Sequence, residues 1–294
     1  MNEQTQVPAS ILVRTIGRVD LLRLCLESLA ACRPRADEIV VVDQSRGQEV
    51  AEVVADFAHV GARVVSSWER GTGIAFNVGL RAVEHEIVLV TDDDCTVASK
   101  WVERGWAHMS ADSTAIVTGR VLPAGNPSAV PSTIDDPEPR DYTGEIHFGA
   151  LYTNNCCLNR DAVLAIGGFD EFIRPVAEDN DLCYRWLRAG RPLRYEPDLV
   201  VWHHEWRSRD DLERWYVEYA KSQGMFYAKH LRRGDLRMLP WLAYDVFAGF
   251  RGLVARVLLG RPRWSDAAQG ILRGLPRGLI AGWRVFGAKR GAGY

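Results

Sequence analysis

Short β-branched runs alternate with amphipathic stretches through the first half of the chain, and this alternation restricts it to an α/β architecture more firmly than any single residue does. Apolar runs at Ile11–Thr15, Glu38–Asp43, Arg63–Ser66, Ile87–Asp92 and Ala115–Val121 predict strands. Between the first two, Val19–Ala31 sets Leu21, Leu22, Leu24, Cys25, Leu26 and Leu29 at helical spacing, and Pro34 stops the helix. That is a βαβ unit, and its repetition predicts a mostly parallel central sheet flanked by helices. A chain of 294 residues can hold one such domain and an appendage.

From Leu122 to Gly144 the composition shifts to Pro, Ser, Gly and Asp, which reads as a long surface loop. Order resumes over Ala150–Asn159, the Gly167-Gly168 turn, a helix from about Asp179 to Ala189 and a strand over Leu199–His203. After Ser208 the pattern is helical, interrupted by Pro240, Pro262 and Pro276. The expected division is therefore an α/β domain over 1–230 and a basic, amphipathic helical region over 231–294. Net charge is −2, yet twelve basic residues face only Asp235, Asp245 and Asp266 from His230 onward, a local excess of +9. The remainder carries −11, so the two parts suit different partners. Leu239–Leu259 is apolar and aromatic, but Asp245, Arg251 and Arg256 interrupt it, which favours an interfacial or packed helix over a spanning one. Six cysteines without a C-x-x-C pair suggest neither a zinc site nor a disulfide framework. With an N-terminus lacking a basic then apolar leader pattern, they give a cytoplasmic expectation, peripheral on the inner face of the cell membrane.

Four constellations can carry chemistry. Asp92-Asp93-Asp94 follow Ile87-Val88-Leu89-Val90-Thr91, where a buried strand emerges from the sheet. Clustered carboxylates repel one another, and a hard divalent cation both neutralises them and holds phosphate oxygens. The competing reading is a solvated turn, with Asp94 capping a helix over Val97–Met109. Glu69-Arg70-Gly71-Thr72-Gly73 opens a helix containing Asn77, a start that presents backbone N–H groups and Arg70 to an anion or serves close packing alone. Glu178-Asp179 at another helix start fit either dipole capping or a general base. Trp202-His203-His204 end a strand; adjacent residues face opposite ways, so one imidazole can reach a metal, and His203 is favoured.

In this order and spacing, these residues resemble glycosyltransferase family 2 over about residues 8 to 230. The resemblance implies a GT-A fold and an inverting transfer from a nucleotide sugar to a hydroxyl acceptor, with Mn²⁺ or Mg²⁺ as cofactor. It implies Asp94 and His203 as metal ligands, Asp179 as the base with Glu178 beside it, and Asp92 and Asp93 on the donor. Thr15, Gly17, Arg18 and Asp43 match positions that hold base and ribose, and Arg70, Gly73 and Asn77 match the family's Gly-rich helix. Two departures stand out: Gln44 follows Asp43 where many relatives have a second acid, and Phe76 stands where an Arg is frequent. No Gln-x-x-Arg-Trp motif is present, which favours addition of a single hexosyl or deoxyhexosyl unit.

A nucleotidyltransferase would share the sheet and the acids, but would want a more basic Gly-rich loop after the first strand than Thr15-Ile16-Gly17-Arg18 provides. A non-catalytic sugar-nucleotide scaffold is the other alternative. For the basic tail the choices are an anionic membrane surface, packing within the molecule, or a homodimer contact; nucleic acid is not expected, because no recognition module is present. The acceptor class stays open among lipid-linked sugar, glycan and small molecule.

Overall fold

The computed structural model describes residues 6–127, 129–130, 132–144, 147–205, 208–259 and 263–288. Pro131 of the expected loop and Pro262 of the tail lie outside them. The elements run β1 (Gln6–Thr15), α1 (Val19–Ala30), β2 (Arg35–Asp43), α2 (Glu49–Ala55), β3 (Ala62–Ser66), α3 (Thr72–Ala82), β4 (Ile87–Asp92) and β5 (Cys95–Val97). They continue through α4 (Trp101–Ala111), β6 (Ile116–Ala124), β7 (Arg140–Tyr142), β8 (Asn155–Asn159), α5 (Arg160–Ala165), α6 (Glu178–Arg188) and β9 (Leu193–His204). Three long helices follow: α7 (Arg209–Arg232), α8 (Met238–Leu259) and α9 (Arg263–Ala288).

The strands form one nine-stranded sheet in the order β3-β2-β1-β4-β8-β6-β9-β5, with β7 also on β9. β3, β2, β1 and β4 are mutually parallel, as the βαβ pattern requires. Beyond β4 the sheet is mixed, because β8 runs antiparallel to both β4 and β6 while β6 and β9 are parallel. Alternation along the strands explains the layers. Ile11, Val13, Ile39 and Val41 face one core with Leu22, Cys25 and Leu26 of α1; Leu12, Val40, Val42, Val88 and Val90 face the other with Phe76 and Leu80 of α3 and Trp186 of α6.

Two sequence expectations change. The segment 122–144 is not a continuous loop: β6 extends to Ala124, Ile134 bridges Val121, and Arg140–Tyr142 adds a strand to β9. Asp94 caps no helix, because Cys95–Val97 forms β5 and α4 begins only at Trp101. Its strand is claimed by β9, where Cys95, Thr96 and Val97 pair with His203, Trp202 and Val201.

By contact density the chain divides into two compact units, one of 1–170 with 179–206 and one of 171–178 with 207–294. In the second, α9 lies directly on α7. A Cβ on Gly274 would sit 2.2 Å from the Val217 carbonyl oxygen and one on Gly278 only 1.8 Å from that of Lys221, so this seam accepts glycine alone.

Candidate active site

The strand ends of β1, β2 and β4 create the site, because parallel strands deliver their C-terminal residues to one edge. Arg14 pairs in register with Asp92, and Thr15 with Asp43. Arg14 Nη2 donates to Asp92 Oδ2 at 2.8 Å. Thr15 Oγ1 donates to Asp93 Oδ2 at 2.5 Å while accepting from the Gly17 amide at 3.0 Å. Arg18 reaches back into the acidic cluster, with one guanidinium nitrogen on Asp93 Oδ1 and the other 2.9 Å from Asp94 Oδ2. Asp43 turns its carboxylate to the Ser45 amide, 2.7 Å away.

The three acids have distinct surroundings. Asp93 is fully enclosed, and burial pushes its pKa up against the opposing pull of Arg18 and Thr15. Asp94 is equally enclosed; burial would raise its pKa, but the His203 hydrogen bond and the charges of Arg18 and Arg14 outweigh that and hold it well below the usual carboxylate range. His203 Nε2 lies 3.5 Å from Asp94 Oδ2. The neighbouring His204 turns away, its Nε2 3.0 Å from Thr96 Oγ1, as strand alternation demands. Asp92 Oδ1 is buried and has no hydrogen-bond partner among the described residues. An ionised oxygen enclosed without a partner is costly. Asp94, Cys95 and His203 bring potential ligand atoms within 4.8 Å of one another. The Asp94 carboxylate and the His203 imidazole in that group are donor types that fit a divalent cation of the Mn²⁺ type.

Asp179 stands in the first turn of α6 with its Oδ1 accepting from the Asn180 amide at 2.7 Å. Burial first, and then the charge of Asp92, push its pKa up to about 6, opposed by Arg14 and backbone hydrogen bonds. A carboxyl shifted in this direction holds a proton more readily than an exposed aspartate does. Glu178 is 3% exposed. The preceding Ala177 adopts a φ of 67°, a left-handed backbone that costs a non-glycine residue about 1 kcal/mol and ends the incoming segment abruptly.

The Gly-rich helix start is held rather than open. Gln44 Nε2 donates to the carbonyls of Glu69 at 2.7 Å and Gly71 at 3.2 Å, tying the β2 exit to that turn and leaving Arg70 exposed. Gly73 packs against the 169–170 backbone, where a Cβ would stand 2.7 Å from the Asp170 carbonyl oxygen. Asn77 clamps the same turn from both sides: Nδ2 donates to Phe169 O and Oδ1 accepts from Phe169 N, both at 2.9 Å. Phe76 packs on Phe169 with ring centroids 4.8 Å apart and the planes tilted by 35°. Arg185 completes the brace, bonding Asp181 Oδ2 at 2.7 Å and the carbonyls of Ile166 and Gly168.

Read alone, the sequence assigns no role to Arg14 or Arg185, and shows Gln44 only as a departure from the family pattern. Only Arg14 left a signal, as a charge inside an otherwise apolar strand directly before its exit.

Residues 10–164, just over half of the chain, match the family model described as glycosyl transferase family 2. The chain belongs to this family, and the mixed sheet with its flanking helices is the GT-A fold. The pre-mycofactocin glycosyltransferases of Mycobacterium tuberculosis strains CDC 1551 / Oshkosh and ATCC 25618 / H37Rv are each 27% identical over 262 residues, 82% of this chain. The chain spans only 54% of the length of these curated relatives. Among solved structures, a Pyrobaculum calidifontis mannosyltransferase in complex with GDP-Man and Mn²⁺ superposes with a TM-score of 0.64 at 18% identity, covering 92% of this chain and 86% of that one. S. aureus TarS 1-349 in complex with UDP-GlcNAc gives 0.59 at 15% identity, covering 98% and 93%.

Proposed function

We propose that the protein transfers a single sugar from a nucleoside-diphosphate donor to a hydroxyl acceptor, with inversion and dependence on a divalent cation. The observation that carries this reading is the buried Asp94–His203 pair, 3.5 Å apart at the strand ends that also deliver Asp92, with Asp179 of α6 near enough for the Asp92 charge to act on it. Asp94 and His203 are the residues that would hold the cation, which when bound offsets negative charge on the departing diphosphate. Arg14 and Arg18 add positive charge beside the acids. Thr15, Gly17 and Asp43 border the place for base and ribose, with Asp92 facing the donor. Asp93 braces Thr15 and Arg18 beneath it.

In the reaction, the Asp179 carboxylate takes the proton from the acceptor hydroxyl as that oxygen forms its bond to the anomeric carbon. The bond from that carbon to the phosphate oxygen breaks on the opposite face, and the electron pair leaves with the diphosphate. A positioned base contributes roughly two to four decades of rate. Arg70, Gly73 and Asn77 serve the donor through the turn they shape, and Glu178 supports the start of α6. The relatives favour this class of chemistry: two solved neighbours at low identity hold Mn²⁺ with GDP-Man or with UDP and GalNAc. The fitting acceptors are lipid-linked or cell-envelope sugars or a small metabolite, reached by a protein working at an anionic membrane surface. No described helix is long and apolar enough to cross a membrane.

The test is incubation with UDP-, GDP- and dTDP-sugars in the presence and absence of Mn²⁺, following nucleoside diphosphate release. Metal-dependent release from one donor class is the expected result. Release of pyrophosphate from a nucleoside triphosphate, or no turnover with any donor, would overturn the reading.

A further inference from the structure

The second compact unit exposes a surface that water does not favour. In α8 the inward face is Met238, Leu242, Asp245, Gly249 and Gly252, spaced by four and three, with Gly249 packed against Ile271 of α9. Much of the remaining described surface of the helix is turned outward and apolar: Tyr244, Phe247, Phe250, Val254, Val257 and Leu258 are all more than half exposed, Leu258 at 74%. Monomeric soluble domains seldom leave so long a contiguous apolar face uncovered.

The charges are sorted to match. The only acid of α8, Asp245, is turned inward, its Oδ2 accepting from Tyr227 Oη at 2.7 Å. Among the described side chains, the outward charges on and just before α8 are Arg237, which meets Asp235 at 3.5 Å, and the exposed Arg251. On α9 the exposed positions Arg273, Arg277, Ile280, Trp283 and Arg284 recur at helical spacing, mixing cations with an aliphatic and an aromatic side chain. Among the described side chains of α8 and α9 no acid is exposed. An apolar face that carries the exposed Arg251, with its one carboxylate withdrawn and further exposed arginines on the next helix, is complementary to an anionic lipid surface: the rings and aliphatic chains enter the headgroup boundary and the guanidinium groups meet phosphates. Among the described side chains, a second copy of this face would bring arginine against arginine with no exposed acid on either helix to pair it.

We infer that α8 is the membrane-docking element of this protein, lying in the interface plane of an anionic bilayer with the arginine stripe of α9 as its electrostatic complement. The inference rests on the membrane-surface reading above and narrows it to one helix face. The test uses the full chain with phosphatidylcholine vesicles, with and without about one-third phosphatidylglycerol. Wild type should sediment with the anionic vesicles, and less so as salt rises. Phe247→Asp with Phe250→Asp should lower that partitioning about tenfold or more. Arg273→Gln with Arg277→Gln should lower it about twentyfold on anionic vesicles with no change on neutral ones. Both variants alter exposed side chains, so an unchanged thermal midpoint serves as the folding control. If the phenylalanine variant partitions like wild type, the assignment to α8 is overturned while the membrane-surface reading stands. If wild type ignores anionic vesicles, both are overturned. A concentration-dependent dimer abolished by the same phenylalanine variant would then give the face to a second copy of the chain.

Discussion

Arg14 and Asp92 are register partners on adjacent parallel strands, and their side chains close to 2.8 Å where both strands leave the sheet. The two charges act oppositely on a third group: burial chiefly, then Asp92, raise the pKa of Asp179 and Arg14 lowers it, the balance lying at about 6. A general base works as the carboxylate, so kcat/KM should fall as pH drops below about 6. Arg14→Gln should move that acid limb to higher pH, and Asp92→Asn should move it lower. Profiles of kcat/KM against pH for the three proteins check this; an acid limb unmoved in both variants would mean that another group titrates.

The Asp94–His203 pair makes a separate prediction about metal. Loss of an outer-shell partner of a metal ligand costs about 10–100-fold in affinity, so loss of a ligand itself should cost at least about 100-fold. Asp94→Asn and His203→Ala should each weaken Mn²⁺ binding by that factor, measured by titration calorimetry. His204→Ala, which alters only the side chain facing Thr96, should leave it within a few-fold of wild type. Chelation should abolish turnover, and added Mn²⁺ should restore it.

Asn77 tests the brace behind the site. Its amide makes two 2.9 Å hydrogen bonds with the main chain of buried Phe169, so Asn77→Ala leaves a donor and an acceptor without partners. Each such loss costs about 1–3 kcal/mol, and the pair should lower unfolding free energy by about 2–4 kcal/mol, read from the denaturant midpoint. Asn77→Asp keeps one of the two bonds and should fall between Ala and wild type.

The parallel half of the fold was legible because its signal is local. Ile87–Thr91 is apolar on both faces, and a strand of that kind has few places to lie except in the middle of a helix-covered sheet. The position of the acids was equally legible, since they stand at the end of that strand. Less visible were features whose partners are far along the chain. Cys95–Val97 looks like the run-up to α4 until β9 supplies the opposite strand, and β7 needs the start of β9 in the same way. Gln44 reads as a missing acid; its role as a tie to the Glu69–Gly71 backbone exists only once β2 and the Gly-rich turn meet. Asp245 shows the same gap, because the sequence displays a charge interrupting an apolar helix and cannot display that it turns inward to Tyr227.

Asp179 allows a prediction in which stability and activity move in opposite directions. Its folded-state pKa of about 6 lies above the ordinary aspartate value of 3.8, so the folded protein holds this proton more tightly than the unfolded chain does. The charge therefore costs no stability below pH 4; the penalty grows as pH rises through about 4 to 6 and is complete above that. A difference of roughly two pKa units corresponds to about 2–3 kcal/mol at neutral pH. Asp179→Asn removes the charge with little change in shape, and should raise unfolding free energy by about 2 kcal/mol at pH 7 while leaving it nearly unchanged near pH 4. The same variant should lose about two decades or more of kcat with little change in donor affinity, because the proton acceptor is gone and the donor contacts remain. Denaturant titrations at the two pH values and single-turnover kinetics give the two halves of the result. A variant that kept near-normal turnover would remove Asp179 from the role of base, and one destabilised at pH 7 would mean that its carboxylate is better paired than its raised pKa implies.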